Sequence, residues 1–377
     1  MKFGVGISRD RDSKKAGKEA CEQALSSIKK PDLIILFASA IFEIERLASS
    51  VFLTSGKAKM IGCTTSGEIK DDIFFGSCLV IACETEDNEE IEVTGVEDIY
   101  KNPREAGQSL VKDEYTEGFL LVFSDGLFSQ TSILVKGIND YLSCNVSLIG
   151  ALAGDDLRRK ETYQFFNGKV LTRGLCSAFF KTSSKIRSSL RHGFYPISEP
   201  LRVTRAHQNV IQGIDNHRPS KVYLEFLGLS EDELSFSSPI DLKEVRHSPI
   251  GIPQITGDYK IKKFLEFRKD GSIVIDSYIP ENTIIRILGE STTSLIQASR
   301  DCAKEALEDI SPKIVFLFSS STRMLILGED ANNEIEKIKR VVKNIPIVGF
   351  YGYGEIGCLR TKRADFHNNS IGILAIE

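Results

Sequence analysis

The chain has 377 residues, 41% hydrophobic and 27% charged, a composition that fits two globular domains or one large duplicated body. Its 48 basic and 52 acidic residues leave a formal net charge of −4, so no general field exists to gather nucleic acid. No apolar run approaches the ~20 residues of a membrane span, and the first residues lack the pattern of a secretory leader. The eight cysteines occur singly and the five histidines are scattered. That usage fits a reducing cytoplasm and gives no support to a disulfide scaffold or a zinc site.

In chain order, a short strand over residues 3–8 leads to a helix with Ala16, Ala20, Ala24 and Ile28 on one stripe. Pro31 bounds it, and the apolar run Leu33–Ser39 reads as a buried strand. A second helix carries Ile44, Leu47, Ala48, Val51 and Phe52 and stops at Gly56, and a strand around 59–61 delivers Gly62-Cys63-Thr64-Thr65-Ser66-Gly67-Glu68-Ile69. The order then repeats. A strand near 91–96, a helix with Ala106, Leu110 and Val111, a buried run ending at Ser124 and a helix over 133–142 lead to Gly150-Ala151-Leu152-Ala153-Gly154-Asp155.

Residues 189–282 break this rhythm. They read as an α+β elaboration, with a helix over 220–227 and a hairpin whose strands flank Asp270-Gly271. A third repeat follows from about 283, with a buried run ending at Ser319 and the loop Gly349-Phe350-Tyr351-Gly352-Tyr353-Gly354-Glu355-Ile356. A period of roughly 90–100 residues indicates duplicated domain-sized units rather than a solenoid. The expected architecture is α/β: units 1–85 and 86–188 form an N-terminal module, and 189–377 a C-terminal one. Alternating strands and helices lead us to expect mainly parallel sheets.

Three converging loops of small, polar, acid-tipped text point to a binding site where they meet. Glu68, Asp155 and Glu355 could meet an ammonium, and Thr64, Thr65 and backbone amides offer further hydrogen bonds. Against this, each acid could instead cap backbone amides in a tight loop. Tyr351 and Tyr353 are candidates to line the pocket. Ser320 and Arg323 follow the third buried run, and an arginine there could hold a carboxylate through two parallel bonds; an N-cap and a solvated arginine are the alternative. Gly352–Gly357 matches the dinucleotide pattern GxGxxG, but that pattern must open a helix. Here an apolar helical stripe is missing and a carboxylate sits inside the loop, so NAD is not expected. Cys63 and Ser320 are candidate nucleophiles for an enzyme reading, and neither has a recognisable base.

The motif at 349–357, with Phe366-His367-Asn368, resembles the end of the FIST sensory proteins. Residues 62–69 and 193–210, notably Val203-Thr204-Arg205-Ala206, extend the resemblance along nearly the whole chain. The resemblance implies a non-catalytic sensor module that binds small ligands such as amino acids, with Arg205 in the matched segment among the ligand-binding candidates. It implies a separate downstream signalling protein, such as a histidine kinase or cyclase. No cofactor is expected, with haem and nitric oxide sensing as the alternative; His192 and His207 are then the candidate ligands. One departure stands out: many relatives carry cysteine where this chain has Ser320, which argues against thiol chemistry there.

Overall fold

In the computed structural model, which describes residues 1–230, 243–358 and 363–377, the chain divides into two units. The first takes Met1–Arg191 and Ala298–Glu377, the second His192–Gln297. The first repeat runs β1 (Lys2–Ser8), α1 (Ser13–Leu25), β2 (Leu33–Ser39), α2 (Ile44–Thr54), β3 (Lys59–Thr65), β4 (Glu68–Lys70), β5 (Asp72–Phe74) and β6 (Cys78–Glu84). Asp12 caps α1, its side chain accepting the Lys15 N–H at 2.8 Å. The small stripe Ala16, Ala20 and Ala24 lets that helix lie close to the sheet, fully buried.

The second repeat has the same order: β7 (Glu90–Val96), α3 (Pro103–Gln108), β8 (Gly118–Ser124), α4 (Thr131–Tyr141), β9 (Val146–Leu152), β10 (Tyr163–Phe166), β11 (Lys169–Thr172) and β12 (Leu175–Lys181). The third opens with β13 (Ile186–Arg191), is interrupted by the second unit, and resumes after it. That unit holds β14 (Tyr195–Pro196), β15 (Leu201–His207), β16 (Val210–Ile214), α5 (Pro219–Leu227), α6 (Lys243–His247), β17 (Ile250–Pro253), β18 (Tyr259–Lys262), β19 (Phe264–Phe267), β20 (Ile273–Ile275) and β21 (Ile284–Gly289). The third repeat continues with α7 (Thr292–Ala306), β22 (Ile314–Ser320), α8 (Ser321–Leu327), α9 (Ala331–Val342), β23 (Ile347–Gly352), β24 (Glu355–Gly357), β25 (Asp365–His367) and β26 (Ile371–Ile376).

The expectation of mainly parallel sheets is overturned. Among the described residues, only β2/β3, β8/β9 and β22/β23 pair in parallel. The first sheet has the order β1-β6-β2-β3-β10-β11, and the two other six-stranded sheets follow suit, with β12 and β26 in the place of β6. Helical crossovers do set β1 and β2 in the same direction. The last strand of the repeat then inserts between them, antiparallel to both. Alternating strands and helices therefore foretold strand direction but not strand neighbours. The fold is mixed α/β, and most of its ladders are antiparallel.

A second feature is a cyclic exchange. Hairpin β4–β5 of the first repeat adds to β23 of the third, β10–β11 of the second adds to β3 of the first, and β24–β25 of the third adds to β9 of the second. Each sheet is thus completed by a different repeat. Their inner faces share one core in which register-equivalent Phe37, Phe123 and Phe318 meet with ring centroids 5.2–6.3 Å apart, largely edge to face. Phe350 packs against all three. In each parallel pair a glycine faces the neighbouring strand: a Cβ at Gly62 or Gly349 would lie 1.9 or 1.8 Å from the carbonyl oxygen of Leu36 or Leu317. Only a residue without Cβ fits there.

The second unit has its own core, including Val203, Ile211, Tyr223, Leu224, Ile250, Phe264 and Ile287. The anticipated hairpin forms as β19 and β20, and the anticipated helix forms as α5, closed by left-handed Gly228.

Candidate functional site

The three glycine loops leave the carboxyl ends of β3, β9 and β23 and bond to one another through the main chain. Ser66 N–H donates to Tyr351 O at 2.8 Å, and Tyr351 N–H to Gly67 O at 2.9 Å. Gly154 N–H donates to Thr64 O at 2.8 Å and Asp156 N–H to Thr65 O at 3.0 Å. Tyr353 N–H reaches Leu152 O at 3.2 Å and Leu152 N–H reaches Gly354 O at 2.8 Å. Each loop is bonded to both others, so the ring closes. Small residues permit this approach: a Cβ at Gly154 would stand 2.4 Å from Ser66 Oγ.

Around the ring, Thr64, Thr65, Glu68, Asp155, Tyr351 and Tyr353 are all buried. Thr64 Oγ1 accepts the Tyr163 N–H at 3.0 Å. The Tyr353 hydroxyl donates to Asp155 Oδ1, which also takes the Arg159 N–H at 2.8 Å. Asp155 Oδ2 accepts the N–H groups of Lys160 at 2.6 Å and Glu161 at 3.1 Å. Asp155 thereby fixes the loop that follows it. Burial, reinforced by that aspartate, pushes the Tyr353 phenol up.

Glu68 is fully buried; its carboxylate accepts from the Thr65 hydroxyl, the Ser77 N–H at 3.2 Å and the Ser77 hydroxyl at 2.5 Å. Burial raises its pKa to about 7, against the lowering effect of those donors. Glu355 repeats the arrangement, accepting from the N–H and hydroxyl of Ser370. Ser77 and Ser370 each immediately precede the last strand of a repeat.

The third member of this set is not Asp155. Glu68 lies opposite Phe350 and Glu355 opposite Ala151, each facing the residue after a strand glycine. In the remaining sheet that place, opposite Cys63, belongs to Gln164. Its Oε1 accepts the Gly174 N–H at 3.2 Å, and Gly174 precedes β12 as the two serines precede β6 and β26. The second loop is longer, so counting from Gly150 stops short at Asp155. Tyr163-Gln164-Phe165-Phe166, a strand-like run after that loop, was the available signal.

Ser320 and Arg323 occupy a different layer. Ser320 caps α8, its hydroxyl accepting the Thr322 N–H at 3.3 Å. Arg323 is fully buried: its Nη2 donates to Glu334 Oε1 at 2.5 Å and to Ser299 Oγ at 2.8 Å. Ser299 in turn donates to Glu334 Oε1 at 2.6 Å. Neither Glu334 nor Ser299 was singled out from the sequence. The legible clue was polar text on apolar stripes, Glu334 beside Ile335, Ile338 and Val342, and Ser299 four residues after Leu295.

Arg205 lies exposed on β15 of the second unit, where its Nη2 donates to Gln212 O at 3.4 Å. In the same unit, His192 is buried with Nδ1 accepting the Phe194 N–H at 2.9 Å, and His207 is exposed. Cys63 is fully buried, and burial pushes its thiol well up, away from nucleophilic thiolate. The GxGxxG text runs from Gly354 directly into strand β24, so it opens no helix towards a pyrophosphate. No helix among the described residues is long and apolar enough to cross a membrane.

Comparison with known proteins matches the FIST N domain over residues 32–217 and the FIST C domain over 219–358. An uncharacterized protein of Methanocaldococcus jannaschii is 25% identical over 403 residues, covering 94% of this chain and 75% of its own length. Uncharacterized proteins of Mycobacterium tuberculosis and Mycobacterium bovis are 22% and 23% identical, with at least 95% of either chain covered. Among solved structures, cyanuric acid hydrolase from A. caulinodans aligns over 100% of this chain and 99% of its own, at 10% identity and a TM-score of 0.33, a likeness too weak to bear on fold or function. With both family domains present and together covering most of its length, the chain belongs to the FIST family of signal-transduction sensor domains.

Proposed function

We propose that this protein is a non-catalytic, cytoplasmic sensor of amino acids or similar small metabolites, passing its signal to a separate protein such as a histidine kinase or cyclase. The observation that supports the reading is the closed ring of main-chain bonds between the three loops, whose buried hydroxyls and carboxylates come from all three repeats. A ligand engaging one loop would be felt by the other two through their shared main-chain bonds. The state of the two candidate nucleophiles supports binding without turnover. Cys63 is held as a thiol, and the Ser320 hydroxyl is occupied in capping α8.

A thermal-shift screen against amino acids and related metabolites tests this, because a ligand that binds only the native state raises its melting temperature. A hit is expected, weakened about 10–150-fold by Glu355→Gln if that carboxylate meets the ligand's ammonium through a charge-assisted bond. A screen without any stabilising compound would remove the metabolite reading. A hit left unchanged by Glu355→Gln and Glu68→Gln would make these acids loop-capping residues.

A further inference from the structure

The three repeats share one scaffold but differ in the layer between sheet and helices. In the first, Ala38 and Thr64 face each other across the parallel pair, beneath Ala16, Ala20, Leu47, Ala48 and Val51. In the second, Ser124 pairs with Leu152 beneath Leu134, Val135 and Ile138. The equivalent pair in the third repeat is Ser319 and Tyr351. Their neighbours Phe318 and Phe350 point into the shared core, so these two side chains point the other way. Arg323, Glu334 and Ser299 lie in that direction. The Tyr351 phenol, raised chiefly by burial, also feels the charges of Glu334 and Arg323.

The second repeat leaves one hydroxyl of this layer unpaired, Ser124 Oγ, and the third leaves three polar atoms. Ser319 Oγ, Tyr351 Oη and Glu334 Oε2 are buried and have no hydrogen-bond partner among the described residues. Buried polar atoms are ordinarily paired, and three orphans in one layer mark a place for something else. Glu334 Oε2 can only accept, so an occupant must donate to it; the two hydroxyls can donate or accept. Arg323 and Glu334 already balance each other's charge, so an added ion would be buried without a counter-charge.

We propose that the layer between β22/β23 and helices α7 and α9 is a closed site for a small uncharged molecule with both a donor and an acceptor, of the primary amide class. The amide N–H bonds Glu334 Oε2, and its carbonyl takes the hydroxyl protons of Tyr351 and Ser319. The main chain of Tyr351 belongs to the loop ring while its side chain faces this layer, and the proposal does not rest on the metabolite reading.

Saturation-transfer NMR on the full chain tests it, with acetamide, acetate and methylammonium as probes. Acetamide is expected to receive saturation and the two charged isosteres not. Tyr351→Phe, which removes one oxygen and leaves the Arg323–Glu334 pair intact, should weaken acetamide about tenfold; Ser319→Ala should act in the same direction. Glu355→Gln should leave acetamide binding unchanged, which separates this site from the ring. No acetamide signal with the native chain would mean the orphan atoms hold water only. Equal binding of acetate or methylammonium, or an unchanged response in Tyr351→Phe, would equally overturn the assignment.

Discussion

Replacing Glu334 by leucine should be among the most damaging single changes in the first unit. Both partners of the Arg323–Glu334 pair are 0% exposed, and one carboxylate oxygen serves Arg323 at 2.5 Å and Ser299 at 2.6 Å. Removing it leaves a buried guanidinium without its carboxylate, a loss worth about 3–5 kcal/mol in comparable buried pairs. At about 2–4 °C per kcal/mol for a large domain, the melting temperature should fall by roughly 6–20 °C. Removing both charges together, as Arg323→Met with Glu334→Leu, should restore stability to within about 1–2 kcal/mol of the original, because a well-packed apolar pair has no desolvation penalty. The chain has no tryptophan, so urea unfolding is best followed by far-UV circular dichroism. A single variant that loses less than about 1 kcal/mol, or a double variant as weak as the single, would refute the claim that the pair is closed to solvent.

Three other outcomes follow from the same packing. Glu68 is held near pH 7, above its usual 4.5, so the folded state binds the extra proton between these values and stability falls as pH rises through that window. Glu68→Gln should flatten that slope, and unfolding midpoints on either side of the window compare the two proteins. Phe123→Ala should cost about 3–5 kcal/mol by opening the three-sheet core, read as a lower urea midpoint with an unchanged slope. In native protein, thiol reagents should modify Cys144 first, since it is exposed while Cys63, Cys78, Cys83, Cys176 and Cys302 are buried with raised thiols; mass spectrometry of partial labelling checks this.

Much of the local structure was legible because its signals are local. The runs ending at Ser39, Ser124 and Ser319 are fully buried strands, as their unbroken apolar text implied, and each lies parallel to the strand feeding a glycine loop. No apolar helical stripe follows Gly354 in the sequence, and a strand forms there. The geometry of the candidate site was legible in part. The loops that contain Thr64, Thr65, Asp155, Tyr351 and Tyr353 do meet, but Arg323 turns to a glutamate eleven residues on along the chain, and Gln164 fills a place that counting assigned to an aspartate.

By itself the sequence determined that the body is repeated three times, where its buried strands lie and which residues end them, because apolar periodicity and glycine position act over a few residues. Tertiary structure alone decided which strands are neighbours. The last strand of each repeat inserts antiparallel between two that run the same way, and each hairpin completes the sheet of another repeat. A strand's own residues state that an edge must be paired and a face covered, and three similar repeats offer nearly the same partner three times over. Only close packing of the shared phenylalanine core and the closed ring of loop bonds selects among those partners, and both exist only once the whole chain has come together.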